Sequence, residues 1–366
     1  MNKKIAKLYL PSTPLNVLVS CALALQAQKN NVGISQQLWL IDQHLDTDAN
    51  PYYSALKKWQ QSPFESIELF NSNSENLSKA AHRKNLLAGL TVQLSGVDVS
   101  EVLVGSDRRI EFQYIMHVLK NTSAQSTVGV YMDDGLYSYN GRPHHWFKDG
   151  LNSVLKKLYY GPWWQEPYTV GAASWVEKAV LFQPQQAHSA LQTKVLEKLE
   201  PEWFTDNSLV SLSSLLAYDM GFELDQLKEL DFLILIAHPH NVKKMPGYQK
   251  AVSELINRLS GSGAKVGVKY HPRSKGEDSL GLMKQGAQWV VPSLLAFEFC
   301  LPTLKPECRL IGDVGTAILS AGWLRPDIEA NAILNPDDAF QKTFLKTCSS
   351  MGVKVLNNFE DILYDA

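Results

Sequence analysis

The chain has 366 residues, long enough for two domains that each bury a core. Apolar residues make up 45% and charged residues 20%, a globular balance that excludes a disordered chain. Lys and Arg number 35 against 37 Asp and Glu, so the net charge of −2 gives no bulk attraction to nucleic acid or anionic lipid, although local basic patches stay compatible with it.

A charged start, Met1 to Lys4, leads into an apolar run at 5–10 that is too short for a signal-peptide core. No stretch reaches the ~20 apolar residues that cross a bilayer. The expected compartment is the cytoplasm, and peripheral attachment at the inner face of the membrane remains open. The run at 5–10 reads as a first strand and 14–28 as a helix. Strands follow at 38–42, 66–70, 101–104 and 127–132, with helices near 77–91 and 109–120. Strand and helix in alternation indicate parallel βαβ units.

Residues 145–230 are less regular and hold the aromatic cluster Trp146, Phe147, Tyr159, Tyr160, Trp163, Trp164 and Tyr168. Packing at a domain junction and a sugar-stacking surface are both compatible with it. The alternation restarts at 231–237, a nearly unbroken apolar run of the kind a central parallel strand shows. Tyr248, Val252, Leu255, Ile256 and Leu259 then share one helical face. Strands at 265–270, 288–291 and 309–311 follow, with helices from about 293 and from about 316.

The expected fold is α/β, with two facing Rossmann-like domains. Three segments are expected: 1–170, an irregular or helical connection at 171–230, and 231–366. Ligands of such sheets bind off the carboxyl ends of strands, so the chemistry is sought there, in a cleft between the domains.

Three constellations sit at expected strand ends. Asp133-Asp134-Gly135 follows the strand at 127–132. A carboxylate there suits a general base toward a hydroxyl; a turn or helix cap is the structural alternative. His271-Pro272-Arg273 ends the strand at 265–270, where the imidazole and the guanidinium suit a phosphate or carboxylate. Gly312-Asp313-Val314-Gly315-Thr316 joins a strand to a helix, and such N-termini cradle phosphates.

Other candidates are weaker. Asp46-Thr47-Asp48 has a metal-binding form but lies in a polar loop. His238-Pro239-His240 follows another strand and either lines the same cleft or is a loop. His144-His145 is ambiguous. Cys21, Cys300, Cys308 and Cys348 form no CxxC pair, which disfavours zinc. GxSxG and the P-loop pattern are absent.

Taken together, the motifs resemble the bacterial sialyltransferases and polysialyltransferases of the two-Rossmann-domain, GT-B type. The matching features are Ser12-Thr13-Pro14-Leu15 after the first strand, Asp133-Asp134-Gly135, His271-Pro272 and a downstream Ser/Thr motif. Their order covers most of the chain. The resemblance implies inverting transfer of a sialic acid or related nonulosonic acid from a CMP-activated donor to an oligosaccharide or glycolipid hydroxyl, in lipopolysaccharide or capsule biosynthesis.

It further implies Asp133 as the base, with Asp134 as the second candidate. His271 binds or protonates the departing CMP phosphate, flanked by Pro272 and Arg273. Glu298 holds the ribose, and Gly315-Thr316 takes the phosphate. Here Gly315 departs from the family's first hydroxyl. Thr13, Gly135 and His238 are expected to line the cleft. The N-terminal domain serves the acceptor and the C-terminal domain the donor, with no metal, no cofactor and no nucleic-acid partner.

Alternatives are transfer of another CMP-linked acidic sugar (Kdo, pseudaminic or legionaminic acid), a nucleotide-sugar epimerase or hydrolase on the same fold, and a non-catalytic carbohydrate-binding protein.

Overall fold

The computed structural model describes residues 5–30, 33–72, 78–122, 126–334, 339–342 and 344–364. The charged start at 1–4 and residue 77, the expected start of a helix, lie outside them. Two compact units divide the chain, Met1–Trp203 and Phe204–Ala366.

The first unit is built on seven parallel strands: β1 (Ile5–Leu10), β2 (Ser35–Gln43), β3 (Ser66–Asn71), β4 (Asp98–Val104), β5 (Val128–Met132), β6 (Lys178–Leu181) and β7 (Val195–Lys198). Their order is β3-β2-β1-β4-β5-β6-β7. The direction of winding reverses between β1 and β4, the crevice where ligands of doubly wound sheets bind. Buried aliphatic and aromatic side chains from β1, β4, β5 and the helix Ile110–Thr122 form one core, with Phe112, Ile115, Met116 and Tyr131 at its centre.

The second unit repeats the plan. Its strands are β8 (Phe232–Leu235), β9 (Val266–Lys269), β10 (Trp289–Val291), β11 (Arg309–Asp313), β12 (Ala330–Ile333) and β13 (Lys354–Leu356). The order is β10-β9-β8-β11-β12-β13, again parallel throughout, with the reversal between β8 and β11. The helix Tyr248–Gly261 buries Tyr248, Val252, Leu255, Ile256 and Leu259 against this sheet, the face the 3.6-residue period defines.

Two Rossmann-like domains are thus present. The segment expected to connect them, 171–230, is divided between the units. Its strands β6 and β7 extend the first sheet, whereas the helix Asn207–Asp219 belongs to the second unit. The charged, mostly exposed β7 is an edge strand, and its Lys and Glu side chains hide its period from a reading by apolar pattern.

Among the described residues, no helix is long and apolar enough to cross a membrane. The four cysteines are buried thiols.

Candidate functional site

The acidic motif lies directly after β5, and its two carboxylates have opposite surroundings. Asp133 is fully buried. Its Oδ1 accepts from the Gly135 amide at 2.9 Å and the Ser138 hydroxyl at 2.9 Å. Its Oδ2 accepts from the Tyr139 hydroxyl and from the Phe182 amide at 3.1 Å. Gly135 has φ +94, which glycine adopts without strain, so the chain can turn directly after the acidic pair. Burial raises the pKa of Asp133 and these four donors oppose the rise. With both oxygens taken, Asp133 ties β5, the turn and the end of β6 together.

Asp134 is half-buried. Its Oδ1 accepts from Asn16 Nδ2 at 3.0 Å and from the Thr13 hydroxyl at 3.3 Å. Desolvation pushes its pKa up to about 7, against the pull of the Asn16 hydrogen bond and the nearby Arg109 charge. A carboxyl near neutrality suits proton transfer at working pH.

Topology explains how Thr13 and Asn16 arrive there. They follow β1, whereas Asp134 follows β5, and β4 lies between. Asn16 crosses the end of β4 at Gly105, where an added Cβ would stand 2.1 Å from Asn16 Oδ1. Glycine at 105 therefore permits the crossing. Asn16 Oδ1 is buried without a hydrogen-bond partner.

In the second unit the two His-Pro motifs end adjacent strands, His238 after β8 and His271 after β9. Their rings approach to 4.6 Å between centroids at 66°. Each uses Nδ1 to accept a backbone amide two residues on, His240 at 3.0 Å and Arg273 at 3.1 Å. In the neutral state that fixes the tautomer, so each presents Nε2–H as a donor. Burial, then the neighbouring His238, Arg273 and Lys269, lower the His271 pKa to about 4. His271 is therefore neutral in the unliganded protein at neutral pH. The exposed Pro272 and Arg273 follow it, and the backbone of Arg273 supplies the amide that orients the ring.

Across β8, the turn after β11 carries Asp313, Gly315 and Thr316. The helix Thr316–Leu324 starts there with Gly315 at its cap in extended conformation. Among the described residues, a Cβ built on Gly315 would meet open space beyond its chain neighbours. Burial raises the Asp313 pKa to about 6. A cavity of about 450 Å³, lined by Asp313, Tyr248, Met245, Leu334, Asn357 and Phe359 among others, opens at this edge.

Glu298 reaches the helix that opens at Thr316. It is buried in the short helix Phe297–Cys300, and its Oε1 accepts from the Ser320 hydroxyl at 3.2 Å. Burial raises its pKa, with Ser320 and the buried Lys269 ammonium opposing the rise. Asp46, expected to be solvated, accepts from the Ala49 amide at 3.0 Å in an exposed turn.

The structure thus brings Thr13, Asp133, Asp134 and Gly135 together in one unit, and His238, His271, Pro272 and Arg273 together in the other. Gly315 and Thr316 follow β11, the neighbour of β8 on the side away from β9. Asn16, Ser138 and Tyr139 escaped the sequence reading. Ser138 and Tyr139 stand in the same VYMDDGLYSY string as the acidic pair, and Asn16 directly follows the Ser12-Thr13-Pro14-Leu15 motif.

No protein-family model and no curated protein matches the chain. Solved structures do. An α/β-galactoside α-2,3-sialyltransferase from Photobacterium phosphoreum is 13% identical with a TM-score of 0.57, covering 99% of this chain and 100% of its own. A UDP-GlcNAc 2-epimerase from Neisseria meningitidis, bound to UDP-GlcNAc, is 13% identical with a TM-score of 0.59, covering 98% of this chain and 90% of its own. A sialyltransferase from Photobacterium damsela is 12% identical with a TM-score of 0.51, covering 96% and 81%. At this identity the likeness defines the fold: two Rossmann-like domains of the GT-B type, a fold that transferases and epimerases share.

Proposed function

We propose that the chain is an inverting, metal-independent glycosyltransferase that moves a sialic acid or related nonulosonic acid from a CMP-activated donor to a glycan hydroxyl. The observation that carries this reading is the contrast within Asp133-Asp134. One carboxylate locks the turn with both oxygens taken, and the other is half-buried with its pKa near 7. The base is therefore Asp134, and Asp133 holds it in place.

In the reaction the acceptor hydroxyl gives its proton to Asp134 as its oxygen bonds the anomeric carbon. The bond from that carbon to the phosphate oxygen breaks, and CMP leaves with the electron pair. His271 and His238 donate Nε2–H hydrogen bonds to the phosphate and stabilise the charge it gains. Approach of that anion raises the pKa of His271, which is low in the free protein because cations and burial surround it. The amide groups that open the helix at Thr316 offer a second anchor for the phosphate. Glu298 keeps its place as the candidate ribose ligand, its Oε1 accepting from Ser320 in the helix that opens at Thr316. The like order of the Asp-Asp-Gly and His-Pro motifs, together with the fold, supports a CMP-sugar as donor.

The likeness to the Neisseria enzyme favours one second reading, a UDP-sugar epimerase. Nucleotide protection separates the two. CMP at a hundredfold excess over its Kd is expected to stabilise the protein by about 2.7 kcal/mol. UMP and GMP should give no shift at the same concentration, and EDTA should leave the CMP shift unchanged. His271→Ala should weaken CMP roughly 10- to 100-fold, the loss of a hydrogen bond to a charged group. Protection by UMP without CMP would move the assignment to the epimerase.

A further inference from the structure

The helix Trp146–Tyr160 is docked the wrong way round for a surface helix. Such helices normally turn their apolar stripe to the core. Here the inward positions are Asp149, Asn152, Ser153, Lys156 and Tyr160. Tyr160 packs against the hydrophobic core, and Asp149, Asn152 and Lys156 are held by polar contacts. Asp149 pairs with Arg142 at 2.7 Å. Asn152 and Lys156 reach the Glu166 carboxylate at 3.3 and 3.2 Å.

The outward face is apolar. Phe147, Leu151, Val154, Leu155 and Leu158 fall within an arc of about 100° at 3.6 residues per turn. All are exposed, Phe147 at 73% and Leu158 at 80%. Trp146, 78% exposed, stands at the N-terminal end and packs edge-on to Phe147 at 6.0 Å. Half-exposed Tyr159 stands at the other end, with the Lys84 ammonium over its ring at 5.2 Å.

Charge identifies the occupant of this face. Exposed Lys148 and Lys157 flank the apolar arc on its two sides, and the helix's single carboxylate, Asp149, is buried. A basic rim around aliphatic side chains, with aromatic rings at both ends, matches the headgroup and acyl layers of an anionic bilayer. The helix has 15 residues and is about 22 Å long, suited to lie in the interface plane rather than to cross it.

We propose that Trp146–Tyr160 is a membrane-docking helix that inserts Phe147, Leu151, Leu155 and Leu158 into an anionic phospholipid surface. This placement stands independently of the donor and of the chemistry.

Vesicle flotation of the full chain tests it. Vesicles of phosphatidylcholine with about one-third phosphatidylglycerol should carry the protein at low salt, and binding should fall as salt screens the lysines. The paired charge reversal Lys148→Glu and Lys157→Glu should weaken binding by at least about thirtyfold, since each lysine near such a surface contributes about fivefold. Leu155→Ser with Leu158→Ser should abolish it. Both variants should melt like wild type, because the altered side chains are exposed. Failure of wild type to float with anionic vesicles, or flotation that neither variant disturbs, overturns the proposal. So does a wild-type dimer, seen by light scattering without lipid, that the leucine pair converts to monomer; the face would then belong to a second copy.

Discussion

Asp134→Asn is expected to lower sugar transfer by about 10²- to 10⁴-fold, the loss typical of removing a general base. The amide keeps the size of the carboxylate and still accepts from Asn16 and Thr13, so fold and CMP affinity should hold. Steady-state kinetics should place the loss in kcat, with nucleotide protection near wild type. The pH dependence gives a second readout. With its pKa near 7 in the free protein, Asp134 is protonated and idle below that value, so kcat/KM should rise with pH through about 7 and then level off. Stability runs the other way. A carboxyl whose pKa is raised on folding binds its proton better in the folded state. Its contribution is full below pH about 4 and is lost as pH rises through 7. Full activity of Asp134→Asn, paired with a stable but inactive Asp133→Asn, would transfer the role to Asp133.

Asp133→Ala should instead act on the fold. It strips the acceptor from two backbone amides and two hydroxyls in a site without solvent access. A buried donor left unpaired costs about 1–3 kcal/mol, so a total loss above about 3 kcal/mol is expected. Urea unfolding should show it as a lower midpoint at unchanged slope. A midpoint within experimental error of wild type would mean that the turn does not depend on Asp133. The two neighbouring carboxylates thus fail in different ways, one in kcat and one in stability.

The sequence reading reached the fold where strands are apolar. β5 and β8 show as apolar runs and β1 as a run broken only by Lys7, and the helix at 248–261 shows its face in five side chains. β6 and β7 did not, because β6 opens on Lys178 and β7 is an exposed edge that ends in Glu197 and Lys198. β12 and β13 also went unread, each short and carrying a polar residue, Asn331 and Lys354.

The choice between Asp133 and Asp134 was not legible either. It depends on which donors reach each carboxylate, and one of them, the Phe182 amide, lies 49 residues downstream. The two His-Pro motifs were visible as strings. Their pairing comes from the register of β8 on β9, which sets Leu235 beside Lys269 and so brings His238 and His271 out side by side. The aromatic cluster at 146–168 was visible, but it has no single role. Trp164 is core and Trp163 stacks on His117, whereas Trp146 and Phe147 face outward. That division depends on Glu166 and Arg142 holding the polar face of one helix, contacts no local pattern announces.

The most direct test of the central claim is mass detection of products from purified protein given CMP-sialic acid, with a panel of glycan acceptors, in parallel with UDP- and GDP-sugars. The account predicts an acceptor heavier by one sialyl residue and the release of CMP, undiminished by EDTA and lost in Asp134→Asn. Untouched CMP-sugars alongside conversion of UDP-GlcNAc to its 2-epimer would contradict it.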